Sequence, residues 1–244
     1  MNQQTVLITG SSRGIGKAAA IEFAKRGFRV VIHGNHSVKE LVELQEYLTK
    51  EFGAEVLMQR GDISDSSFVK TMFQNIEKTF GSVDVLVNNA GISQIGLFQD
   101  MTEDEWDRML ATNLSSVFYC CKQAVNGMLQ KGSGRIINVS SMWGSCGASC
   151  EVAYSATKGG VNAFTKALAK ELAPSHISVN AIAFGVIDTE MNGHLDENER
   201  LSLEEEIPFG RFANVKEAGS FICHVAEADL YMTGQIIGFD GAFL

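Results

Sequence analysis

TVLITGSSRGIGKAAAIEFAKRG, residues 5–27, joins three kinds of sequence end to end. TVLIT is an apolar run, continuous rather than alternating, as in a strand covered on both faces. GSSRGIG carries glycines at 10, 14 and 16. GIGKAAAIEFAKRG reads as a helix that stops at Gly27. Glycine lets a backbone turn sharply and approach a ligand closely. The helix start beyond it offers free N–H groups and a positive dipole end, which suit a phosphate.

The same alternation continues outward. RVVIH (29–33), AEVLMQ (54–59), VDVLVNN (83–89), GRIINVSS (134–141), ISVNAIAF (177–184) and GQIIGF (234–239) read as strands. Helical spacing fills the intervals at 38–53, 66–81, 103–130, 153–173 (stopped near Pro174) and 215–226. Apolar strands alternating with helices predict an α/β, Rossmann-type doubly wound fold. The expectation is a seven-stranded, mainly parallel sheet with helices on both faces. Neither a linker nor a break in composition interrupts it, so residues 1–244 are expected to form one domain. Residues 185–206 are charged and irregular and follow a strand end, where ligands bind in such sheets. That segment is expected to be a substrate lid.

The chain has 244 residues, 45% of them hydrophobic, and a formal net charge of −9. An acidic chain is poorly suited to nucleic acid or to anionic membranes. It contains no apolar run near the ~20 residues needed to span a bilayer. MNQQTVLITG lacks a basic region followed by a long apolar stretch, so a secretory leader is not expected there. The five cysteines, 120, 121, 146, 150 and 223, do not have the spacing of a disulfide framework. Reduced thiols in the cytoplasm fit best. Cys146 and Cys150 lack partner ligands nearby, so no metal site is expected.

The glycine turn between a first strand and a first helix points to a dinucleotide. NAD sites usually place an acid at the end of the second strand. Here that end reads VIHGNHS, with no acid. Arg13, inside the turn, could clamp a 2′-phosphate. Asn35, Ser37 and His33 are candidate further donors, whereas His36 reads as turn filler. NADP(H) is therefore the expected cofactor. At the other end of the chain's chemistry, AYSATKGG (153–160) places Tyr154 four residues before Lys158, one turn apart on a helix face. Ser141 closes the fifth strand, at the rim where such sheets present their ligand crevice. NNAG (88–91) closes the fourth strand at the same rim, and Asn113 follows in the long helix.

TGSSRGIG (9–16), Asp62 in GDIS, NNAG, Asn113 in ATNLSSVF, Ser141 and the Tyr154–Lys158 pair, in that order, resemble the short-chain dehydrogenase/reductase family over nearly the whole chain. The resemblance implies a catalytic set of Asn113, Ser141, Tyr154 and Lys158. Tyr154 would protonate a carbonyl oxygen as hydride arrives, and Lys158 would lower its pKa and hold the nicotinamide ribose. Ser141 would orient the carbonyl, and Asn113 would hold a water leading to Lys158. The implied cofactor residues are Gly10, Ser12, Arg13, Gly14, Ile15, Gly16, Asn35, Asp62, Ile63, Asn89, Ala90, Gly91, Tyr154, Lys158, Gly185, Ile187 and Thr189. One departure stands out: the family usually has Pro-Gly after the sixth strand, and here Phe184-Gly185 replaces it. That would free a backbone donor and put an aromatic ring near the cofactor.

TGSSRGIG, IPFGRF and YMTGQII look like 3-oxoacyl-(acyl-carrier-protein) reductases, which implies fatty-acid synthesis and a homotetramer. SSMWGSCGASCEVAYSATKG (140–159) and FTKALAKELAPS (164–175) are similar to a subgroup that reduces a 5-aminopentanone group on elongation factor P. The two substrates weigh nearly evenly, with a small-molecule ketone or alcohol as a third. An idle NADP-binding regulatory protein is the alternative outside catalysis. Such a protein should have lost Tyr154 or Lys158, and both remain.

Overall fold

The computed structural model describes residues 3–193 and 195–244. His194, inside the expected lid, lies outside the described residues, as do Met1 and Asn2. The apolar runs become strands β1 (Thr5–Ile8), β2 (Arg29–Gly34), β3 (Val56–Arg60), β4 (Val85–Asn88), β5 (Gly134–Ser141), β6 (Ile177–Phe184) and β7 (Ile236–Phe239). They form one sheet in the order β3-β2-β1-β4-β5-β6-β7. Every neighbouring pair is parallel. The sheet is thus wholly parallel where a mainly parallel one was expected. β1 and β4 are fully buried, which is why their sequences do not alternate.

Helices α1 (Gly14–Lys25), α2 (Val38–Phe52), α3 (Ser66–Phe80), α4 (Glu103–Leu110), α5 (Ser116–Lys131), α6 (Trp143–Cys146), α7 (Val152–Leu172), α8 (Glu197–Glu206) and α9 (Val215–Glu227) connect or flank the strands. Two apolar clusters, one on each sheet face, hold the layers together. Phe23, Leu41, Leu44, Leu48 and Ile222 pack on one face with Ile8 and Ile32. Met72, Ile76, Cys120, Met128, Val161 and Leu172 pack on the other with Leu7, Val31 and Leu86. Chain order reverses between β1 and β4, so the connections leave their carboxyl ends in opposite directions and open a crevice there.

Two segments differ from the sequence reading. The helix expected over 103–130 is divided by a π turn, Ala111–Ser115, in which the Ser116 N–H donates to the Ala111 carbonyl. Such turns insert one residue into a helix and often mark functional positions. The irregular 185–206 segment contains α8, started by a reciprocal cap between Asp196 and Glu199. The Asp-x-x-Glu spacing was the available sign. Its charge on all sides and weak apolar face concealed it.

Candidate active site

The glycine turn is shaped by its neighbours as well as its own sequence. Gly10 has φ +64° and Gly14 φ +55°, both in the left-handed region. A Cβ on Gly10 would lie 2.8 Å from the Ala90 Cα, so the turn and the NNAG segment touch through backbone. Thr9 Oγ accepts from the N–H groups of Asn89 and Ala90, each at 3.0 Å. Asn89 Nδ2 donates to the carbonyls of Thr9 and Gly10, both at 2.9 Å. Asn89 therefore fixes the turn with its amide. Arg13 caps α1 without a side-chain bond, which leaves the first N–H groups of the helix available.

His33 emerges as a structural partner that sequence reasoning had placed among the ligand donors. It is buried, and its Nδ1 accepts the Gly10 N–H at 3.2 Å. Its Nε2 lies 3.1 Å from the Gly61 carbonyl. An acceptor Nδ1 requires the neutral ring with the proton on Nε2, which then donates to Gly61. Burial pushes its pKa down from 6.5 to about 4.

At the end of β2, the structure adds a cation that the sequence analysis overlooked. Arg60 ends β3 in register with Gly34 and donates to the Asn35 carbonyl at 3.4 Å. Arg13 meets Glu190 at 2.9 Å, with both side chains well exposed at 62% and 71%. An exposed pair of this kind contributes roughly 0–1 kcal/mol, so Arg13 is easily released to another anion. Ser12 is buried beside the turn, and Thr189 lies over Gly14, with its Cγ2 3.5 Å from where a Cβ would stand. Asp62 accepts the Ser64 N–H at 2.9 Å in a tight turn, with Ile63 buried next to it. Ile187 is buried and bridges to Ala213, anchoring the start of the expected lid.

The reactive group gathers at the ends of β4 and β5. Tyr154 and Lys158 face one another on α7, with Nζ 5.5 Å from the ring centroid. Lys158 is buried and donates to the Val139 carbonyl at 2.8 Å. Burial lowers its pKa from 10.5 to about 8. Tyr154 keeps partial exposure but is largely walled by protein, and this desolvation pushes its hydroxyl up to about 12. A hydrogen bond with Ser141 pulls in the opposite direction, and the Glu151 carboxylate adds to the rise. The sequence expectation was that Lys158 lowers the phenol pKa. In this geometry the ammonium is aimed at a β5 carbonyl and rests on the ring face, so burial dominates.

Asn113 sits buried in the π turn. Its Nδ2 donates to the Ile92 carbonyl and its Oδ1 accepts the Ile92 N–H, both at 2.8 Å. The amide is thus spent on holding the chain beyond NNAG. Gly91 lies between the two sides: a Cβ there would stand 3.4 Å from Asn113 Oδ1 and 3.8 Å from Lys158 Nζ. Beneath the site, Ser140 Oγ donates to Asn162 at 2.7 Å, and Asn88 donates to Asn138, which donates to Thr165, both at 2.8 Å. These buried amides were visible only as polar residues inside apolar runs.

The Phe184 expectation is corrected. Its ring is buried in the core, edge-on to Phe239 at 5.6 Å between centroids, and so is not free to flank a cofactor. Gly185 follows where a Cβ would lie 2.7 Å from the Asp240 Cα, a backbone approach only glycine permits.

A strand–glycine turn–helix with a Ser-Tyr-Lys group across the crevice agrees with comparison to known proteins. The chain belongs to the short chain dehydrogenase family, whose model matches residues 4–200, and it is an oxidoreductase of that family. It is 37% identical over 243 residues to the uncharacterized oxidoreductase YmfI of Bacillus subtilis, covering 98% of each chain. It is 38% identical over 239 residues to the 3-oxoacyl-(acyl-carrier-protein) reductase FabG of Staphylococcus aureus, covering 98% of this chain and 97% of that one. A solved structure of YwfH, an NADPH dependent reductase involved in bacilysin biosynthesis, has a TM-score of 0.94 at 25% identity and covers 99% of this chain and 98% of its own.

Proposed function

We propose that the protein is an NADPH-dependent ketone reductase of the 3-oxoacyl-(acyl-carrier-protein) reductase type. The observation that carries this is the convergence of Ser141, Tyr154 and Lys158 beside a glycine turn with uncapped helix N–H groups. The residues fit the cofactor. Gly10, Gly14, Ile15 and Gly16 would receive the pyrophosphate, with Ser12 and Thr189 beside it. Arg13, Arg60 and Asn35 would receive the 2′-phosphate at a strand end that has no acid. Asp62 and Ile63 would meet the adenine, and Ala90 and Gly91 the adenine ribose. Gly185 and Ile187 would border the nicotinamide. When bound, the cofactor supplies the hydride.

The chain's own residues do the rest. Ser141 holds the substrate oxygen by a hydrogen bond. Tyr154, held at about 12, is protonated at neutral pH and ready to donate. The alkoxide that forms on reduction is more basic than a phenolate, so transfer is downhill. Lys158 stabilises the phenolate left behind, and its lowered pKa lets it pass a proton back near neutral pH. Asn113 holds the Ile92 segment that borders Lys158. Residues 185–206 close over the substrate as a lid within a single 1–244 domain, and the working form is a cytoplasmic homotetramer. A carrier-bound acyl chain is the first substrate choice, with the elongation factor P ketone second.

The test is oxidation of NADPH by an acetoacetyl thioester, with the unaltered protein and Tyr154→Phe compared. Turnover lost at least a hundredfold in Tyr154→Phe, with NADPH binding intact, supports the reading. Equal turnover in both contradicts it.

A further inference from the structure

The end of the chain returns to the reactive group. β5, β6 and β7 lie in register so that Ser141 pairs with Phe184 and Phe184 with Phe239. The residues after Phe239 therefore leave the sheet at the same rim as Ser141, and they turn at once. The Phe243 N–H donates to the Asp240 carbonyl at 3.3 Å, and the Ala242 N–H donates to Asp240 Oδ1 at 3.0 Å. Gly241 has φ +67° and Ala242 φ +66°, in the left-handed region that an alanine adopts only where its surroundings hold it. The Phe209 N–H supplies part of that hold by donating to the Gly241 carbonyl at 3.1 Å. The turn delivers the half-buried Phe243 ring into a T-shaped contact with Trp143, 5.9 Å between centroids and 76° between planes.

Trp143 in turn touches Ser141: its N–H donates to Ser141 Oγ at 3.2 Å. A hydroxyl has one proton and two lone pairs, so an N–H on one lone pair restricts where that proton can point. Trp143 opens α6, which has only four residues, too few to be held by its own hydrogen bonds. Neighbours must fix it. On one side α6 is pressed against α7 through backbone, since a Cβ on Gly144 would lie 2.7 Å from the Lys158 carbonyl carbon. At its Trp143 end the aromatic neighbour is Phe243. We propose that Phe243 is a positioning residue for the reduction: its ring holds Trp143 so that the Trp143 N–H keeps the Ser141 hydroxyl aimed at the substrate oxygen. The last residues of the chain thereby belong to the active site without touching substrate or cofactor. This inference rests on the reductase reading above.

The test is reduction of an acetoacetyl thioester by NADPH in the unaltered protein, Phe243→Leu, Phe243→Tyr and Trp143→Leu, with Tm and NADPH affinity read alongside. Phe243→Leu keeps an apolar side chain but removes the ring, and should lower kcat by about tenfold with the Kd for NADPH unchanged. The loss is smaller than the roughly hundredfold or more expected on deleting a donor to the reacting oxygen, because Ser141 is loosened and not removed. Phe243→Tyr retains the ring and should keep the kcat of the unaltered protein. Trp143→Leu breaks the same contact from the other side while keeping the N–H, and should lower kcat by a similar factor. It carries the test alone if Phe243→Leu does not fold. Unchanged kcat in either leucine variant, a loss shared equally by Phe243→Tyr, or a matching loss of NADPH affinity overturns the inference and leaves the reductase reading standing. No turnover by the unaltered protein overturns both.

Discussion

His33 ties the stability of the glycine turn to pH, with a sign and size that follow from its surroundings. The Gly10 N–H donates to Nδ1, so a proton on that nitrogen deletes the bond and places a charge where burial opposes it. Its folded pKa is about 4 against 6.5 in the unfolded chain. Between these values the unfolded state binds more protons, so stability rises with pH. The contribution is fully present above pH 6.5 and is lost as pH falls toward 4. Linkage gives a loss of about 1 kcal/mol by pH 6, about 2 kcal/mol by pH 5 and about 3 kcal/mol once both states are protonated. For a chain of this size, 2 kcal/mol lowers Tm by about 4–8 °C. The assay is Tm from pH 8 to pH 4.5 for the unaltered protein and His33→Gln. The carboxylates titrate in both, so the difference between the curves isolates His33. His33→Gln should be the less stable of the two at pH 8, and the gap should narrow by about 2 kcal/mol at pH 5. Parallel curves would refute the neutral, buried imidazole.

Glu190→Gln removes the partner of Arg13, and KM for NADPH should fall by no more than about fivefold, because the pair is exposed. Steady-state kinetics with NADPH as the varied substrate checks this. Phe184→Ala should lower unfolding free energy by about 3–5 kcal/mol in denaturant titrations. KM for NADPH should stay nearly constant, because the ring packs on Phe239 and away from the cofactor. Lys158→Met should abolish reduction yet raise Tm at pH 7 by a few degrees, since it removes a buried ammonium. The folded pKa of Lys158 is depressed, so its contribution is restored only as pH rises from about 8 toward 10.5, and the gain should vanish at high pH.

Much of the fold was legible because central strands such as β1 and β4 are buried on both faces and so appear as apolar runs rather than alternating ones. The glycine turn and the Tyr154–Lys158 pair were legible because their chemistry depends on local spacing. What escaped depends on distant contacts. Whether His33 points to a ligand or to Gly10 is set by the pairing of β1 with β2. Arg60 becomes relevant only once β3 lies in register with β2. Phe184 could face the crevice or the core until β7 placed Phe239 beside it. The π turn at Asn113 leaves the helical apolar pattern nearly intact, so periodicity did not reveal it.

Direct observation of hydride transfer bears on the central claim most closely. NADPH deuterated at the transferable position of the nicotinamide would be incubated with an acetoacetyl thioester, and the product read by mass spectrometry. The account predicts a 3-hydroxyacyl thioester one mass unit heavier with the correct cofactor epimer, formed by the unaltered protein and not by Tyr154→Phe. An unlabelled alcohol from both epimers, or labelled alcohol formed equally by Tyr154→Phe, would contradict it.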